Sequence, residues 1–114
     1  MSDCIFCKIV KGDIPCAKIY EDEQVLAFDD IHPMAPVHVI IIPKRHLSTL
    51  LDIDAQNIAI TGDLISASQK IAKIKGIAQK GFRTVINCNA EGGQVVFHLH
   101  MHVLGGRKLQ DQLG

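Results

Sequence analysis

The sequence predicts an α+β domain: an antiparallel sheet of about five strands, one long helix and one short N-terminal helix. Three observations carry that prediction. Short runs rich in β-branched residues are separated by brief polar turns, which suits antiparallel neighbours rather than crossover connections. Only the segment from Asp54 to Lys75 has the three- and four-residue apolar spacing of a long helix. No G-x-G-x-x-G opens a helix, which argues against a doubly wound dinucleotide fold.

Taken in order, "CIFCKIVKG" reads as a short helix closed by Gly12, with Pro15 breaking the chain after it. "AKIYED" and "QVLAFDD" are two short strands around a polar "EDE" turn. "HPMAP" is a loop, because its two prolines exclude regular pairing. "VHVIIIP" is the clearest strand, mostly β-branched and stopped by Pro43. The helix from Asp54 to Lys75 carries Ile60, Leu64, Ala67, Ile71 and Ile74 as one apolar stripe, with Asp54 able to cap its start. "FRTVINC" is a strand, "NAEGGQ" a turn, and "VVFHLHMHVLGG" the last strand.

The 114 residues suffice for one domain, 1–114, and not comfortably for two. A chain of this size buries only about two-thirds of its unfolded surface, so a second copy covering one face would add stability. Twelve Lys plus Arg balance twelve Asp plus Glu, so there is no broad basic field of the kind that tracks nucleic acid or membrane surfaces. A small anionic ligand held by a few placed groups stays compatible. No apolar run is long enough to span a membrane, and the start of the chain lacks the order of a signal peptide. Four unevenly spaced cysteines do not make a secreted disulfide framework, so a reducing cytoplasmic setting is expected.

Three of the six histidines, His98, His100 and His102, fall at every second position of the last strand. Alternation puts them on one face and Phe97, Leu99, Met101 and Val103 on the other, toward the helix. Three chemistries compete for them. A zinc ion held by all three is disfavoured: the outer Cα atoms of such a strand lie about 13 Å apart, while zinc needs nitrogens at about 2.0–2.1 Å. A solvated histidine face is the bland alternative, and strict spacing argues against it. Nucleophilic and acid–base chemistry fits best, since a neutral imidazole attacks phosphorus or carbonyl centres and its neighbours supply charge and protons.

These residues resemble a known family. "HLHMHVLGG" matches the histidine-triad pattern of alternating histidines and apolar residues. "AFDDIHPMAPVHVIIIPKRH" and "INCNAEGGQVVFHLHMHVLGGR" are similar to the corresponding stretches of the Hint branch, and the likeness runs from Cys4 to Arg107. The resemblance implies a homodimer with sheets joined edge to edge, and hydrolysis of purine nucleoside 5′-phosphoramidates through a covalent nucleotidyl-histidine. It makes His100 the nucleophile, flanked by His98 and by His102 on the phosphate, with His46 assisting through hydrogen bonding. It puts Asn87 and the Gly93 amide at the phosphate and Asp30 at the ribose hydroxyls. Phe6, Ile9, Ile14, Phe28 and Ile31 form an apolar slot for the base. Val95 stands where the branch commonly has a Ser or Thr hydroxyl near the leaving group, and valine donates no hydrogen bond. A nucleotide-binding protein without turnover, a metal-binding module, and a dinucleoside polyphosphate hydrolase are the alternatives.

Cys4 and Cys7 have C-x-x-C spacing, half of a zinc signature. The resemblance supplies His46 and His98 as the remaining ligands of a structural zinc ion. The alternative is two reduced thiols packed beside Phe6 and Ile9. His32 is expected as an exposed loop residue, His38 as an ordinary strand-start histidine, and Cys16 and Cys88 as inert thiols, Cys88 within a strand.

Overall fold

A computed structural model describes residues 3–114; Met1 and Ser2, the first two residues of the domain read from the sequence, lie outside the described residues. The elements are α1 (Ile5–Lys11), β1 (Lys18–Glu21), β2 (Val25–Asp29), β3 (Val37–Pro43), a 3-10 turn (Leu50–Asp52), α2 (Ala59–Ile74), β4 (Phe82–Val85) and β5 (Met101–Gly105). One five-stranded sheet takes them in the order β1-β2-β3-β5-β4, every neighbour antiparallel. The α+β expectation and the strand "VHVIIIP" are therefore met. Gly12 closes α1 in the left-handed conformation, at φ 85°, where a residue without Cβ is least strained.

The strands bury both faces. Val25, Ala27, Val39, Ile41, Met101 and Val103 join Leu64, Ala67 and Ile71 of α2 in the larger core. Leu26, Phe28, Ile40 and Ile42 point the other way and pack under Phe6 of α1. That period-two alternation lets one sheet carry a helix on each side. The pairing of Ile40 with His102 and of Ile41 with Met101 fixes which face the histidines of β5 take.

Several sequence expectations are corrected here. The helix begins at Ala59 rather than Asp54, because Asp54 is used in a turn. Its Oδ1 accepts the N–H groups of Gln56 and Asn57, at 2.9 and 3.2 Å, a local bond that competes with helix. Ahead of that turn Thr49 and Asp52 form a reciprocal capping box around the 3-10 turn. The buried stripe of α2 runs through Leu64, Ala67, Ser68, Ile71 and Ala72, whereas Ile74 is 57% exposed at the helix end.

The last strand is shorter than "VVFHLHMHVLGG" and covers only Met101–Gly105. Pro43, at the end of β3, has no N–H to extend the ladder, and its carbonyl is taken by His98 Nε2 at 2.8 Å. The Leu99 N–H goes instead to Leu47 O at 2.6 Å. The alternation nevertheless persists into the irregular part: Leu99 is in the larger core while His100 faces the other side. Phe97 is 47% exposed and outside that core. β4 stops at Val85, opposite His102, so Cys88 lies beyond the strand and is only partly buried.

Candidate active site

A cavity of about 540 Å³ opens on the α1 side of the sheet, within the range typical of small-molecule sites. Every part of the chain that flanks this face contributes. Phe6 and Ile9 come from α1, Ile14 from the connection after it, and Phe28 from β2. Asp30 and Ile31 come from the β2–β3 loop, and His38 and Ile40 from β3. Asn87, Gly93, Val95 and His100 come from the segment joining β4 to β5, and His102 from β5. One wall is thus apolar, and Asp30, Asn87 and four imidazoles, those of His38, His100 and His102 with the exposed His32 of the β2–β3 loop at the rim, supply the polar groups.

The hydrogen bonds fix which ring nitrogens carry protons. His100 Nδ1 is 2.6 Å from the carbonyl of His98, which can only accept, so Nδ1 donates and Nε2 keeps its lone pair. The Met34 N–H donates to His38 Nδ1 at 3.0 Å, so the proton of neutral His38 sits on Nε2. That nitrogen is 2.8 Å from His102 Nδ1 and 3.3 Å from Asp30 Oδ2. With His102 Nδ1 accepting, its Nε2–H becomes a donor. The site therefore pairs a ring with a free lone pair, His100, with a ring that offers a proton, His102, at a centroid separation of 5.0 Å.

Burial keeps these rings neutral. It pushes the pKa of His100 and of His38 down, and that of His102 down to about 4, where the neighbouring His100 and His38 add to the effect. A neutral ring is the nucleophilic form. Phe6 braces the arrangement edge-on, its centroid 5.1 Å from that of His100 and 5.7 Å from that of Phe28.

The remaining expected residues fall as follows. Asp30 accepts the His32 N–H at 2.8 Å, which pins the loop while lone pairs remain on both oxygens. Asn87 Nδ2 donates to Gly92 O at 2.7 Å across the "NAEGGQ" turn. Gly93 lines the cavity at φ 83°, its N–H turned to Ala90 O at 3.0 Å. At Gly92 a Cβ would come within 2.4 Å of Cys88 O, so the turn closes only around glycine. Val95 lies at the mouth, 87% exposed.

His46 and His98 are not among the cavity-lining residues; they meet Cys4 and Cys7 behind Phe6. The four ligand atoms lie within 4.8 Å of one another. Cys4 Sγ to His98 Nδ1 and Cys7 Sγ to His46 Nδ1 are both 3.3 Å, Cys7 Sγ to His98 Nδ1 is 3.6 Å, and the two Nδ1 atoms are 3.1 Å apart. A tetrahedron with bonds of about 2.0–2.3 Å has edges of about 3.3–3.8 Å, so the donor set fits zinc. His98 Nε2 donates to Pro43 O, which directs the Nδ1 lone pair of this fully buried ring into the cluster, the usual second contact of a metal-binding histidine.

The residue that sequence reasoning missed is His38. It is buried and tied to His102 and Asp30 rather than an ordinary strand-start side chain. Alternation through His38, Ile40 and Ile42 puts it on the cavity face of β3, but which face is the cavity's is set only by the pairing with β5. Cys16 also lines the cavity, its thiol pKa raised by burial. Gln94 was read only as turn. It is buried, donating to Ser48 O and Val96 O and accepting the Asn89 N–H, and so holds the turn against the start of the 3-10 segment.

A sheet with a row of alternating histidines bordering a half-apolar cavity defines a histidine-triad protein. The comparisons agree: the HIT domain model matches residues 11–109, and the chain belongs to that family. It is 44% identical over 111 residues to the purine nucleoside phosphoramidase of Escherichia coli K12, spanning 97% of this chain and 93% of that one. It resembles a HIT family hydrolase from Clostridium thermocellum, with TM-score 0.97, 46% identity, and coverage of 99% and 98%. A histidine triad protein from Clostridium difficile superposes with TM-score 0.95 at 48% identity, covering 98% of this chain and 97% of that one.

Proposed function

We propose that this protein hydrolyses purine nucleoside 5′-phosphoramidates through a nucleotidyl intermediate on His100. The observation that carries the reading is the bond from His100 Nδ1 to His98 O, which leaves Nε2 as the nucleophile in a cavity with one apolar wall. The base occupies the slot of Phe6, Ile9, Ile14, Phe28 and Ile31, Asp30 takes the ribose diol, and Asn87 and His102 serve the phosphate; the Gly93 N–H, expected there, is engaged by Ala90 O, so Gly93 contributes only the close approach of its backbone. His100 Nε2 bonds to phosphorus as the P–N bond breaks; the amine leaves with that electron pair and takes a proton from water at the open mouth. The positive charge on the substituted ring is stabilised through Nδ1–H by the His98 carbonyl. Water then attacks phosphorus, the P–N bond to His100 breaks, and the nucleoside monophosphate departs. The 44% identity to a protein named for this activity supports the substrate class.

Replacing His100 by Ala is expected to abolish release of AMP from an adenosine 5′-phosphoramidate while leaving AMP binding nearly intact. Unchanged turnover would remove the mechanism. Tight AMP binding by the unaltered protein without turnover of any phosphoramidate would favour the non-catalytic nucleotide-binding reading. A panel including dinucleoside polyphosphates separates the remaining hydrolase alternative.

In the same proposal, Cys4, Cys7, His46 and His98 hold a structural zinc ion that ties α1 to the segment bearing the nucleophile. His98 is then fixed and His46 acts behind the site rather than on the phosphate. The protein works as a homodimer, a reading supported by the exposed edge of β4 and by exposed Ile58 and Ile65 beside and on α2. A reducing, cytoplasmic setting suits four cysteines that form no disulfide.

A further inference from the structure

A second, larger cavity of about 690 Å³ lies beyond the end of α2 and shares no lining residue with the histidine-bearing cavity. Lys75, Lys80, Arg107 and Lys108 line it, and an adjoining space of about 230 Å³ shares the last three and adds Arg83. No Asp or Glu lines either space among the described residues. In a chain whose charges balance overall, five cations are gathered at one end.

Their local partners leave most of that charge uncompensated. Lys75 pairs with Asp29 at 2.9 Å, and Lys108 reaches the fully solvated Asp111 at 3.4 Å. Arg83 donates to Gln110 O at 2.8 Å, and Arg107 to Lys108 O at 3.1 Å and Met34 O at 3.5 Å. Carbonyls orient a guanidinium but carry no charge. Lys80 makes no ion pair among the described residues. Like charges on concave walls repel one another and concentrate positive potential in the space between them. A bound polyanion relieves that repulsion, and two guanidinium forks with two ammonium groups match clustered phosphate oxygens. The positive-φ glycines Gly76, Gly81 and Gly106 turn the backbone around the space.

We infer that this cavity is a second ligand site, separate from the nucleotide cavity, for a compact anion carrying three or more phosphate charges. It is independent of the reaction proposed for His100. Concavity favours a compact oligophosphate over an extended acidic peptide, and the small number of cations favours it over a nucleic-acid strand.

Titration calorimetry with inorganic tripolyphosphate tests the inference on the full chain at two salt concentrations. The expected result is one ligand per chain, an affinity that falls with salt, and at least tenfold weaker binding for the Lys80→Glu, Lys108→Glu double variant. The milder Lys80→Gln variant, checked for an unchanged thermal midpoint, is expected to weaken binding several-fold. His102→Ala is expected to leave tripolyphosphate binding unchanged. Absence of binding, equal binding by both charge variants, or loss of binding in His102→Ala would each overturn the site. A hexaglutamate peptide binding as tightly as tripolyphosphate would overturn the assignment to phosphate.

Discussion

For single side chains, backbone carbonyls and amides do the selecting. The His98 carbonyl and the Met34 amide choose a tautomer for each of His100 and His38, and through His38 for His102. His38→Phe keeps the bulk and removes the donor to His102. We expect kcat/KM to fall about ten- to a hundredfold, the rate equivalent of a hydrogen bond of about 1–3 kcal/mol, with the effect mainly in kcat. Steady-state kinetics against the unaltered protein would measure it. Burial also predicts a pH dependence of stability. His102 titrates at about 4 in the fold, chiefly through burial, and at about 6.5 in the unfolded chain. Above pH 6.5 both states are neutral and nothing is lost. Between pH 6.5 and about 4 the unfolded chain takes the proton first, so stability falls as pH falls, and the loss levels off below that window. Calorimetric midpoints across that range should decline less steeply for His102→Asn. His100, His102, Asp30 and Asn87 were readable because spacing and motif mark them. His38 was not, because a lone histidine opening an apolar strand carries no signal until the partner strand is known.

Among elements, pattern told faces better than it told ladders. The alternation through Phe97–Val103 correctly assigns Leu99, Met101 and Val103 to the core, yet only Met101–Gly105 pairs as strand. Which residues pair depends on Pro43 and on Leu47, both distant in sequence, so the boundary could not be read locally. Asp54 shows the same limit: a good capping residue was used four residues early, in a turn with Asn57. The α2 stripe was readable in its centre and fails at its end, where Ile74 passes beyond the sheet. Leu64, fully buried between α2 and the sheet, should cost about 2–5 kcal/mol when cut to Ala, measured by chemical denaturation. The zinc site proposed beside α1 gives a separate expectation. Cys7→Ser should lower zinc content from about one ion per chain toward zero and reduce the thermal midpoint, because two thiolates and two imidazoles form the donor set. Elemental analysis and calorimetry on one sample check both. Full metal content in that variant would remove the ligand assignment.

For the molecule as a whole, the sheet divides the work. Its α2 face is the apolar foundation, its α1 face holds the apolar-walled cavity and the imidazoles, and the far end gathers cations. None of the helices among the described residues is long and apolar enough to cross a membrane. Light scattering should give twice the 12.5 kDa chain mass if β4 edges meet in a homodimer, and the single-chain mass would contradict that assembly. Charge segregation was invisible in a composition that sums to zero, because it depends on the fold bringing residues 75–83 beside 107–108. The central claim, a bond between His100 and phosphorus, is tested most directly by acid-free denaturing quench during turnover of an adenosine phosphoramidate, followed by peptide mass spectrometry. The account predicts an adenylyl adduct on the peptide containing His100, absent in His100→Ala. Rapid turnover with that peptide unmodified at every quench time would contradict it.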